Sequence, residues 1–278
     1  MLDVTEFGKR GYLTEDFRLF HLRDSRAEEL DFHYHEFDKI VFHLSGRVTY
    51  HLEGKRYFLK PYDILMVGHS LIHRPVIDPA EPYERMVLWM KEDYLGIRGG
   101  EDLRTCFRLS QERRVHLCRP RGEDRLRYRE LFWRLKEAAE TKGFGAALLA
   151  EACLVQLLVA LNRDVLRGSD TEEGAYRFDP KMEEVTRFIG EHLSEELSID
   201  RLAGAFYLSR YHLMHRFKEV YGITVHQYVR QKRLLRAAEE IRRGVPVLKA
   251  AAEAGFNDYS VFLRAFRETY GRSPREWK

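Results

Sequence analysis

The chain has 278 residues, of which 44% are hydrophobic, 13% aromatic and 33% charged. This composition excludes a low-complexity protein and argues against a membrane protein, and the length suffices for two ordinary domains. The net charge of +3 divides unevenly, because residues 181–278 hold 18 Lys and Arg against 13 Asp and Glu, while residues 1–180 hold 29 against 31. A basic C-terminal end agrees with a nucleic-acid partner without requiring one.

Targeting signals and cysteine usage indicate a cytoplasmic protein. Residues 1–10 lack the basic cap and apolar run of a secretory signal. The most apolar stretch, residues 146–161, is interrupted by two polar side chains and is too short for a membrane span. The three cysteines, Cys106, Cys118 and Cys153, form no Cys-x-x-Cys pair and read as reduced thiols.

Short β-branched and aromatic runs broken by turn residues extend from residue 16 to about residue 90. Four runs are clearest, at residues 39–44, 47–52, 55–59 and 64–67. Strands this short with tight turns predict an antiparallel barrel or sandwich.

Helical periodicity takes over between residues 124 and 166. The first predicted helix has a stripe of Leu126, Leu131, Leu135 and Ala138, and the second has a stripe of Leu154, Leu158, Leu161 and Val165. The second helix is apolar on more than one face, so that one face can cover the barrel and another can meet a second copy of the chain. This predicts a homodimer through residues 124–166; the alternative is a helix buried within its own domain.

Residues 167–180 are polar, contain two glycines and end in a proline, which is typical of a linker. After the linker, an internal repeat appears at an offset of 49 residues. The hexapeptide at residues 217–222 aligns with residues 266–271, and the same offset pairs Ile199 with Leu248, Ala203 with Ala252, Ala205 with Ala254, and Leu213 with Phe262. Two copies of one small helical unit explain this pattern.

Each copy has the form helix, turn, helix. In the first copy a helix over residues 200–206 precedes a second helix that Ser209 caps and that ends near residue 220. In the second copy a helix over residues 248–254 precedes a helix that Asp258 caps and that ends near residue 270.

The second helix of each copy has a polar outward face. At 100° per residue, the side chains opposite the apolar stripes are Tyr211, His215 and Lys218, with Met214 at the edge, and Ser260, Arg264 and Arg267. Such side chains suit reading of the major groove, where arginine bridges O6 and N7 of guanine. The alternative is a solvated surface helix, which two copies at a constant offset make less attractive.

A long helix over residues 224–243 connects the copies. About 20 residues span roughly 30 Å, close to one turn of B-DNA at about 34 Å, so the second helices could enter successive major grooves. Its basic residues could contact phosphates; they are Arg230, Lys232, Arg233, Arg236, Arg242 and Arg243.

Residues 181–278 resemble the DNA-binding domain of the AraC family. The matching motifs are Leu208-Ser209-x-x-x-Leu213-x-x-x-Phe217-Lys218, Arg233-Leu234-x-x-Ala237, Gly255-Phe256-x-Asp258-x-x-x-Phe262-x-Arg264-x-Phe266-Arg267 and Tyr270-Gly271-x-Ser273-Pro274-x-x-Trp277. The resemblance implies contacts to bases or phosphates from both second helices. The residues expected at the DNA are Ser209, Arg210, Tyr211, Met214, His215, Lys218, Asp258, Ser260, Arg264 and Arg267.

Residues 16–92 resemble the cupin-type sensor barrel of many members of that family. The motifs are His33-x-His35, Gly46, Glu53-Gly54-Lys55-x-Tyr57-x-Leu59-Lys60-Pro61-x-Asp63-Ile64 and Ile72-His73-Arg74. Residues i and i+2 of a strand project to the same face, so His33 and His35 can converge. The resemblance places His73 at the third ligand position of metal-binding cupins and Lys39 at their acidic fourth position.

Three histidines alone can hold zinc, nickel or iron with water completing the shell. The alternatives are structural histidines and polar walls of a metal-free effector pocket. The remaining wall of that pocket is predicted to contain Phe42, Tyr50, His51 and Met66.

These patterns predict an α+β protein of two domains. Residues 1–166 form a cupin-like antiparallel β-barrel with a helical dimerisation pair, residues 167–180 a linker, and residues 181–278 an all-α domain with two helix-turn-helix units. We expect a cytoplasmic transcription regulator and not an enzyme, with no required cofactor and a sugar or small polar metabolite as effector. Expected partners are double-stranded DNA, the effector, a second copy and, for an activator, RNA polymerase, with no membrane.

Two alternatives remain open from the sequence. One is a metal-dependent cupin enzyme, such as a dioxygenase or isomerase, fused to a DNA-binding domain. The other is a constitutive DNA-binding protein whose barrel serves only for dimerisation.

Overall fold

The computed structural model describes residues 13, 15–24, 32–69, 71–91, 94, 96–168 and 179–277. The backbone divides into two units, residues 1–177 and 178–278. Most of the predicted linker, residues 169–178, lies outside the described residues, and the functional division into domains stays a prediction.

Strands dominate the first part of the N-terminal unit. In the described residues they are β1 (Phe17–Asp24), β2 (Phe37–Ser45), β3 (Val48–Leu52), β4 (Lys55–Phe58), β5 (Ile64–Val67), β6 (His73–Ile77), β7 (Tyr83–Lys91), β8 (Ile97–Arg98), β9 (Glu101–Asp102) and β10 (Leu117–Cys118). The order β1-β7-β2-β5-β10 forms one sheet, β4-β3-β6 a second, and β8-β9 a hairpin. All described pairings are antiparallel.

The predicted closed barrel is wrong. Among the described residues the five-stranded and three-stranded sheets do not join into one closed barrel; β1 and β10 lie at the edges of the first sheet and β4 at an edge of the second. Tight turns were predicted correctly, because Glu53 and Gly54 both have positive φ and join β3 to β4 as a two-residue hairpin loop.

The five-stranded sheet has packing partners on both faces, which is why β2 is buried from Phe37 to His43. Val41 and Leu65 on one face belong to the same apolar cluster as Tyr50 of the three-stranded sheet. Their neighbours Ile40 and Phe42 point to the opposite face and join a cluster with the helices. This alternation follows from the two-residue period of a strand.

Three helices of this unit are described: α1 (Thr105–Arg113), α2 (Asp124–Glu140) and α3 (Ala146–Leu166). The predicted stripe of α3 is fully buried, but Leu126 of the predicted α2 stripe is 62% exposed. Tyr128 and Phe132 take the buried face of α2 instead. Leu135 and Ala138 are buried as predicted, so the predicted stripe is correct in the second half of α2 and wrong at Leu126, since aromatic residues and leucines at nearby positions are both apolar.

Helix α3 is longer than the apolar stretch at residues 146–161 that was expected to be too short for a membrane span. It has 21 residues and a mean hydropathy of 1.5 over its most apolar window, so by length and composition it could cross a membrane. Leu154, Leu158 and Leu161 of this helix lie in the core of the N-terminal unit. The core helix of a folded domain passes the same test.

The described C-terminal unit is helical. Its elements are α4 (Pro180–Glu191), α5 (Ile199–Ala205), α6 (Arg210–Tyr221), α7 (Val225–Arg242), α8 (Val247–Glu253), α9 (Tyr259–Tyr270) and a 3₁₀ turn at Pro274–Trp277. Helix α5 packs on α6 and α8 on α9, while α7 contacts both α6 and α9. We refer to α5–α6 as the first helix pair and to α8–α9 as the second.

The repeat offset of 49 is correct for only one helix of each pair. The second helices begin at Arg210 and Tyr259, which are 49 residues apart, but the first helices begin at Ile199 and Val247, which are 48 apart. The turn of the second pair is therefore one residue longer. Consistently, Leu248 is 64% exposed although its proposed counterpart Ile199 is buried.

Candidate functional site

Local capping fixes where the second helix of each pair begins. The Ser209 hydroxyl accepts a hydrogen bond from the backbone N–H of His212 at 3.1 Å. The Asp258 carboxylate accepts from the N–H of Ser260 at 2.7 Å and of Val261 at 3.1 Å. These caps, which the sequence predicted, satisfy backbone N–H groups in the first turn of each helix and so fix where α6 and α9 begin.

Helix α6 buries one face and exposes the other. Leu213 and Phe217 are 0% exposed, whereas Tyr211 is 75% and Met214 45% exposed. His215 and Lys218 are exposed as well, and Arg210 begins the helix at an exposed position. The ring of His215 stacks on that of Tyr211 at 5.9 Å between centroids.

Helix α9 repeats this division. Phe262 and Phe266 are fully buried, while Ser260, Arg264 and Arg267 are exposed. All of the side chains that the sequence predicted to face outward therefore do so. Exposure of this kind is what contact with a large partner requires, and it is shared by solvated surface helices.

The long connector α7 is held to its own unit by some of its basic residues. The Arg233 guanidinium donates to the backbone carbonyls of Leu193 at 2.9 Å and Glu195 at 2.6 Å. Two nitrogens of Arg233 are therefore engaged between α7 and the segment before α5, and a phosphate contact from this residue stays a prediction. A Cβ at Gly255 would lie 2.1 Å from the Leu193 oxygen and 2.8 Å from Arg233 Nε, and Gly255 has a φ of +96°. Only glycine fits this turn of the second pair.

Other connector cations also have partners in the unit. Arg230 pairs with Glu268, and Arg243 with Glu240 at 2.9 Å. Lys232 and Arg242 lie over the rings of Tyr228 and Trp277, at 5.3 and 5.4 Å from the centroids. Arg236 is exposed and is the connector residue best placed for an outside partner.

Three exposed apolar or aromatic side chains on or beside these helices were not predicted from the sequence. Tyr207 is 96%, Leu248 64% and Val261 49% exposed. Tyr207 occupies the turn of the first pair with a φ of 55°, a conformation that non-glycine residues rarely adopt. A large aromatic in a predicted tight turn was the available signal.

In the N-terminal unit, the structure brings the three predicted histidines together. A backbone bridge pairs His33 with His73, and one ligand nitrogen of each of His33, His35 and His73 lies within 4.8 Å of the others. His35 and His73 are buried, and His33 is half-buried. Burial, with the nearby Lys39 and His33, holds the pKa of His35 and His73 well below the usual value, so both are neutral imidazoles near pH 7.

Neutral imidazoles in this arrangement fit a divalent cation, but Lys39 opposes one. His73 Nδ1 lies 2.9 Å from the carbonyl oxygen of Leu71 and donates to it. The lone pair that could bind a metal is therefore on Nε2. Lys39 Nζ lies 3.4 Å from that Nε2. Burial lowers the pKa of Lys39 to about 7, so a metal at this nitrogen would have to compete with a partly protonated amine.

The four residues predicted to line the effector pocket lie in more than one layer of the N-terminal unit. Phe42 stacks on Phe132 of α2 at 4.4 Å, and Met66 lies in the same cluster beneath the helices. Tyr50 lies between the sheets, with its ring 5.9 Å from Lys39 Nζ, and His51 projects from the other face of β3. The four side chains therefore do not line one space, because strand pattern alone does not say which layer covers each face.

A buried polar junction at the start of β2 was not predicted from the sequence. Asp38 is fully buried and accepts from the backbone N–H of His69 at 2.8 Å and from Arg104 Nε at 3.0 Å. The hydrogen bonds and positive charge of His69 and Arg104 outweigh desolvation and lower the pKa of Asp38. These contacts tie β2 to the segment before α1, and nothing in their spacing along the sequence announces them.

Comparison with known proteins finds similarity over part of the chain. A helix-turn-helix domain family matches residues 202–278. The chain is similar to regulatory protein PocR of Salmonella typhimurium, with 29% identity over 136 residues that make up 47% of this chain and 45% of PocR. It is similar to the HTH-type transcriptional activator RhaS of Enterobacter sp., with 30% identity over 149 residues, 53% of this chain and 52% of RhaS. The chain thus spans about half the length of these curated relatives.

Two solved structures are also similar. The DNA-binding domain of AdpA in complex with a target DNA is 27% identical and covers 36% of this chain and 90% of its own, with a TM-score of 0.34. ToxT of Vibrio cholerae is 13% identical and covers 95% of this chain and 98% of its own, with a TM-score of 0.39. At scores this low, neither likeness adds to the assignment.

Proposed function

We propose that the chain is a sequence-specific DNA-binding transcription regulator of the AraC family, a proposal supported by the helix-turn-helix family match at residues 202–278 and by the similarity to PocR and RhaS. The observation that carries the proposal is that α6 and α9 each have one buried face and one exposed polar face, and that each helix begins at a capping residue. Tyr211 and Arg264 stand on these faces within the first two turns. Side chains so placed can reach base edges when the helix enters a major groove.

Each helix pair then acts as one helix-turn-helix unit. The connector α7 has 18 residues, which is about 27 Å of helix. This length is near the pitch of B-DNA, about 34 Å, so that α6 and α9 would enter successive grooves on one side of the duplex. The basic residues Arg210, Lys218 and Arg267 would contact the phosphates of the DNA, while Ser209 and Asp258 would lie at the DNA as the caps that begin α6 and α9.

The N-terminal unit would sense a small polar molecule and thereby shift the population of DNA-binding arrangements. Support comes from the buried polar groups of His35, Lys39 and His73, which a core without a ligand-binding role would replace with apolar side chains at lower cost. We expect no required cofactor. The compartment would be the cytoplasm, and RNA polymerase would be a partner if the regulator activates.

Helices α2 and α3 would join two copies. Leu148 and Leu149 on α3 are 71% and 52% exposed, and a surface groove of about 290 Å³ runs between the helices past Ala138, Leu149 and Cys153. Exposed leucines along a groove suit a self-complementary interface. Sedimentation of the full-length protein at micromolar concentration should give a dimer and Leu149→Lys a monomer, with Ile97→Lys, at another exposed apolar residue, as the control.

The function is tested by mixing the purified full-length protein with fragmented genomic DNA and sequencing the bound fragments. We expect a shared sequence of about two helical turns, with affinity that falls steeply as salt rises. Binding that is equal for all fragments would contradict a sequence-specific regulator. Repeating the selection with sugars and small polar metabolites separates a ligand-responsive protein from a constitutive one.

A second candidate is a metal-dependent enzyme, favoured by the three imidazoles within 4.8 Å of one another. The proposed metal is zinc, nickel or iron, held by His33, His35 and His73, and it would supply Lewis-acid or redox chemistry. Lys39 beside His73 counts against it. Elemental analysis of the purified protein decides: stoichiometric metal that His35→Ala releases supports this candidate, and its absence rejects it.

A further inference from the structure

The exposed faces of α6 and α9 differ in chemistry although they occupy equivalent positions. On α6, Tyr211 and Met214 are three residues apart and therefore neighbours on the helix surface. They are 75% and 45% exposed, and the imidazole of His215 stacks on Tyr211 at an interplanar angle of 23°. The face that α6 offers is thus a patch of thioether and ring surfaces.

The arginines of α6 are engaged within the protein. Arg210 Nε lies 3.2 Å from an Asp200 carboxylate oxygen. Arg216 Nε lies 2.6 Å from Asp179, and another of its nitrogens lies 2.7 Å from Glu219. Each guanidinium would have to give up an ion pair before it could reach a base.

On α9 the equivalent positions carry the opposite chemistry. Arg264 stands 49 residues after His215, is exposed, and has no hydrogen bond or ion pair to any described residue. Leu263, the counterpart of Met214, is only partly buried and packs against the core of the second pair. The second helix therefore presents a free guanidinium where the first presents an imidazole beside an exposed methionine.

We propose that the two helix pairs read different base chemistry: α6 reads thymine 5-methyl groups through Met214 and Tyr211, and α9 reads guanine O6 and N7 through Arg264. The inference rests on the proposed function, because it names the DNA that the same faces recognise. In the major groove only thymine offers a methyl group, which apolar side chains contact, and guanine offers the two acceptors that arginine bridges. The operator is accordingly asymmetric, with a thymine-bearing half and a guanine-bearing half.

The test uses the full-length protein and a duplex selected from random DNA. Each thymine of the selected site is replaced in turn by deoxyuridine, which lacks only the methyl group, and each guanine by 7-deazaguanine, which lacks the N7 acceptor. We expect deoxyuridine to weaken binding about four-fold at one or two positions of one half-site, since a buried methyl is worth about one CH₂. We expect 7-deazaguanine to weaken binding about five-fold or more in the other half-site.

Matched variants assign each effect to a helix. Met214→Ala should reduce the deoxyuridine effect to the part that Tyr211 contributes, and Met214→Leu should keep it in full, because leucine restores an apolar contact. Arg264→Lys should reduce the 7-deazaguanine effect and leave the deoxyuridine effect intact. Both positions are exposed, and unchanged circular dichroism melting of the variants verifies that each still folds.

The outcomes separate this inference from the proposed function. Selection that enriches no sequence defeats the proposed function itself. A selected site in which neither half contains thymine, in which deoxyuridine changes affinity less than two-fold everywhere, or in which Met214→Ala keeps the deoxyuridine effect in full overturns the inference while the function stands.

Discussion

The two units of the protein place their polar groups in opposite ways. The N-terminal unit buries His35, His43, His73 and His116, none more than 4% exposed, and burial lowers the pKa of all four. The C-terminal unit instead keeps His215 and Arg264 in solvent, above a core that is almost entirely apolar. Buried polar groups suit a small partner that enters the fold, whereas exposed ones suit a large partner that covers a surface.

The largest expected effect comes from comparing a buried arginine–carboxylate pair of the N-terminal unit with an exposed one of the C-terminal unit. In the N-terminal unit Arg119 donates to both carboxylate oxygens of Asp63, at 2.9 and 2.7 Å, with both side chains buried. Arg119→Ala leaves a buried charge without its partner and should lower the free energy of unfolding by about 3–5 kcal/mol. Arg243→Ala breaks the exposed pair with Glu240 and should cost at most about 0.5 kcal/mol.

Guanidinium unfolding of the full-length protein measures both variants. Tryptophan fluorescence is suitable because Trp89 and Trp133 lie in the N-terminal unit and Trp277 in the C-terminal unit. Similar losses of unfolding free energy for Arg119→Ala and Arg243→Ala would contradict the difference between the two units.

The next effect concerns DNA affinity. Arg264→Ala removes an exposed guanidinium and should weaken binding to the selected site by about 1–3 kcal/mol while relaxing the choice at one base pair. Arg187→Ala removes the same charge from α4, where the residue is also exposed. Electrophoretic mobility shift at fixed salt compares the DNA affinity of the two variants. An equal loss of affinity in both would show that Arg264 contributes only net charge.

Acid should destabilise the N-terminal unit selectively. Burial lowers the pKa of His116 to about 4, below the value near 6.5 of an unfolded histidine. The unfolded chain therefore binds the proton first, and the stability that neutral His116 provides is complete above pH 6.5 and is lost as the pH falls towards 4. At pH 5 this loss is on the order of 2 kcal/mol.

Replacing His116 by Gln should flatten the dependence of unfolding free energy on pH between 6.5 and 4. The control is His226→Gln at an exposed position, which separates the loss of a buried histidine from the loss of any histidine. If the unfolding free energy of the His116 variant depended on pH as it does in the parent protein, His116 would have the same pKa in the folded and the unfolded chain.

The smallest effect sharpens the role of the exposed lysine on α6. Lys218→Ala should lower affinity about equally for all DNA sequences and reduce the slope of log affinity against log salt by about 1. Fluorescence anisotropy across a salt series provides the slope. A change in sequence preference would assign Lys218 to a base and not to a phosphate.

The sequence predicts the C-terminal helices well because their signals are local. Ser209 and Asp258 cap α6 and α9, and Gly222 and Gly271 adopt the left-handed conformation that ends them. The shift of the first helices to an offset of 48 escaped notice because alanines at 250, 251 and 252 fit either register. The role of Arg233 escaped as well, since its acceptors at Leu193 and Glu195 are about 40 residues away.

The N-terminal unit was less predictable because its five-stranded sheet packs against helices on one face and against the second sheet on the other. Strand alternation separates Phe42 from Val41, but it does not tell which face meets helices and which meets the second sheet. A strand buried on both faces also reads as a continuous apolar run. The clustering of His33, His35 and His73 could be predicted from their spacing and from the family resemblance. The contact between Lys39 and His73 depends on the tertiary structure and could not.

Hydroxyl-radical footprinting of the full-length protein on a selected genomic fragment tests the central claim most directly. We predict two protected segments about 10 base pairs apart on one side of the duplex, with Tyr211→Ala weakening one segment and Arg264→Ala the other. Protection of a single groove, or two segments that neither substitution alters, would contradict a protein that grips DNA with α6 and α9.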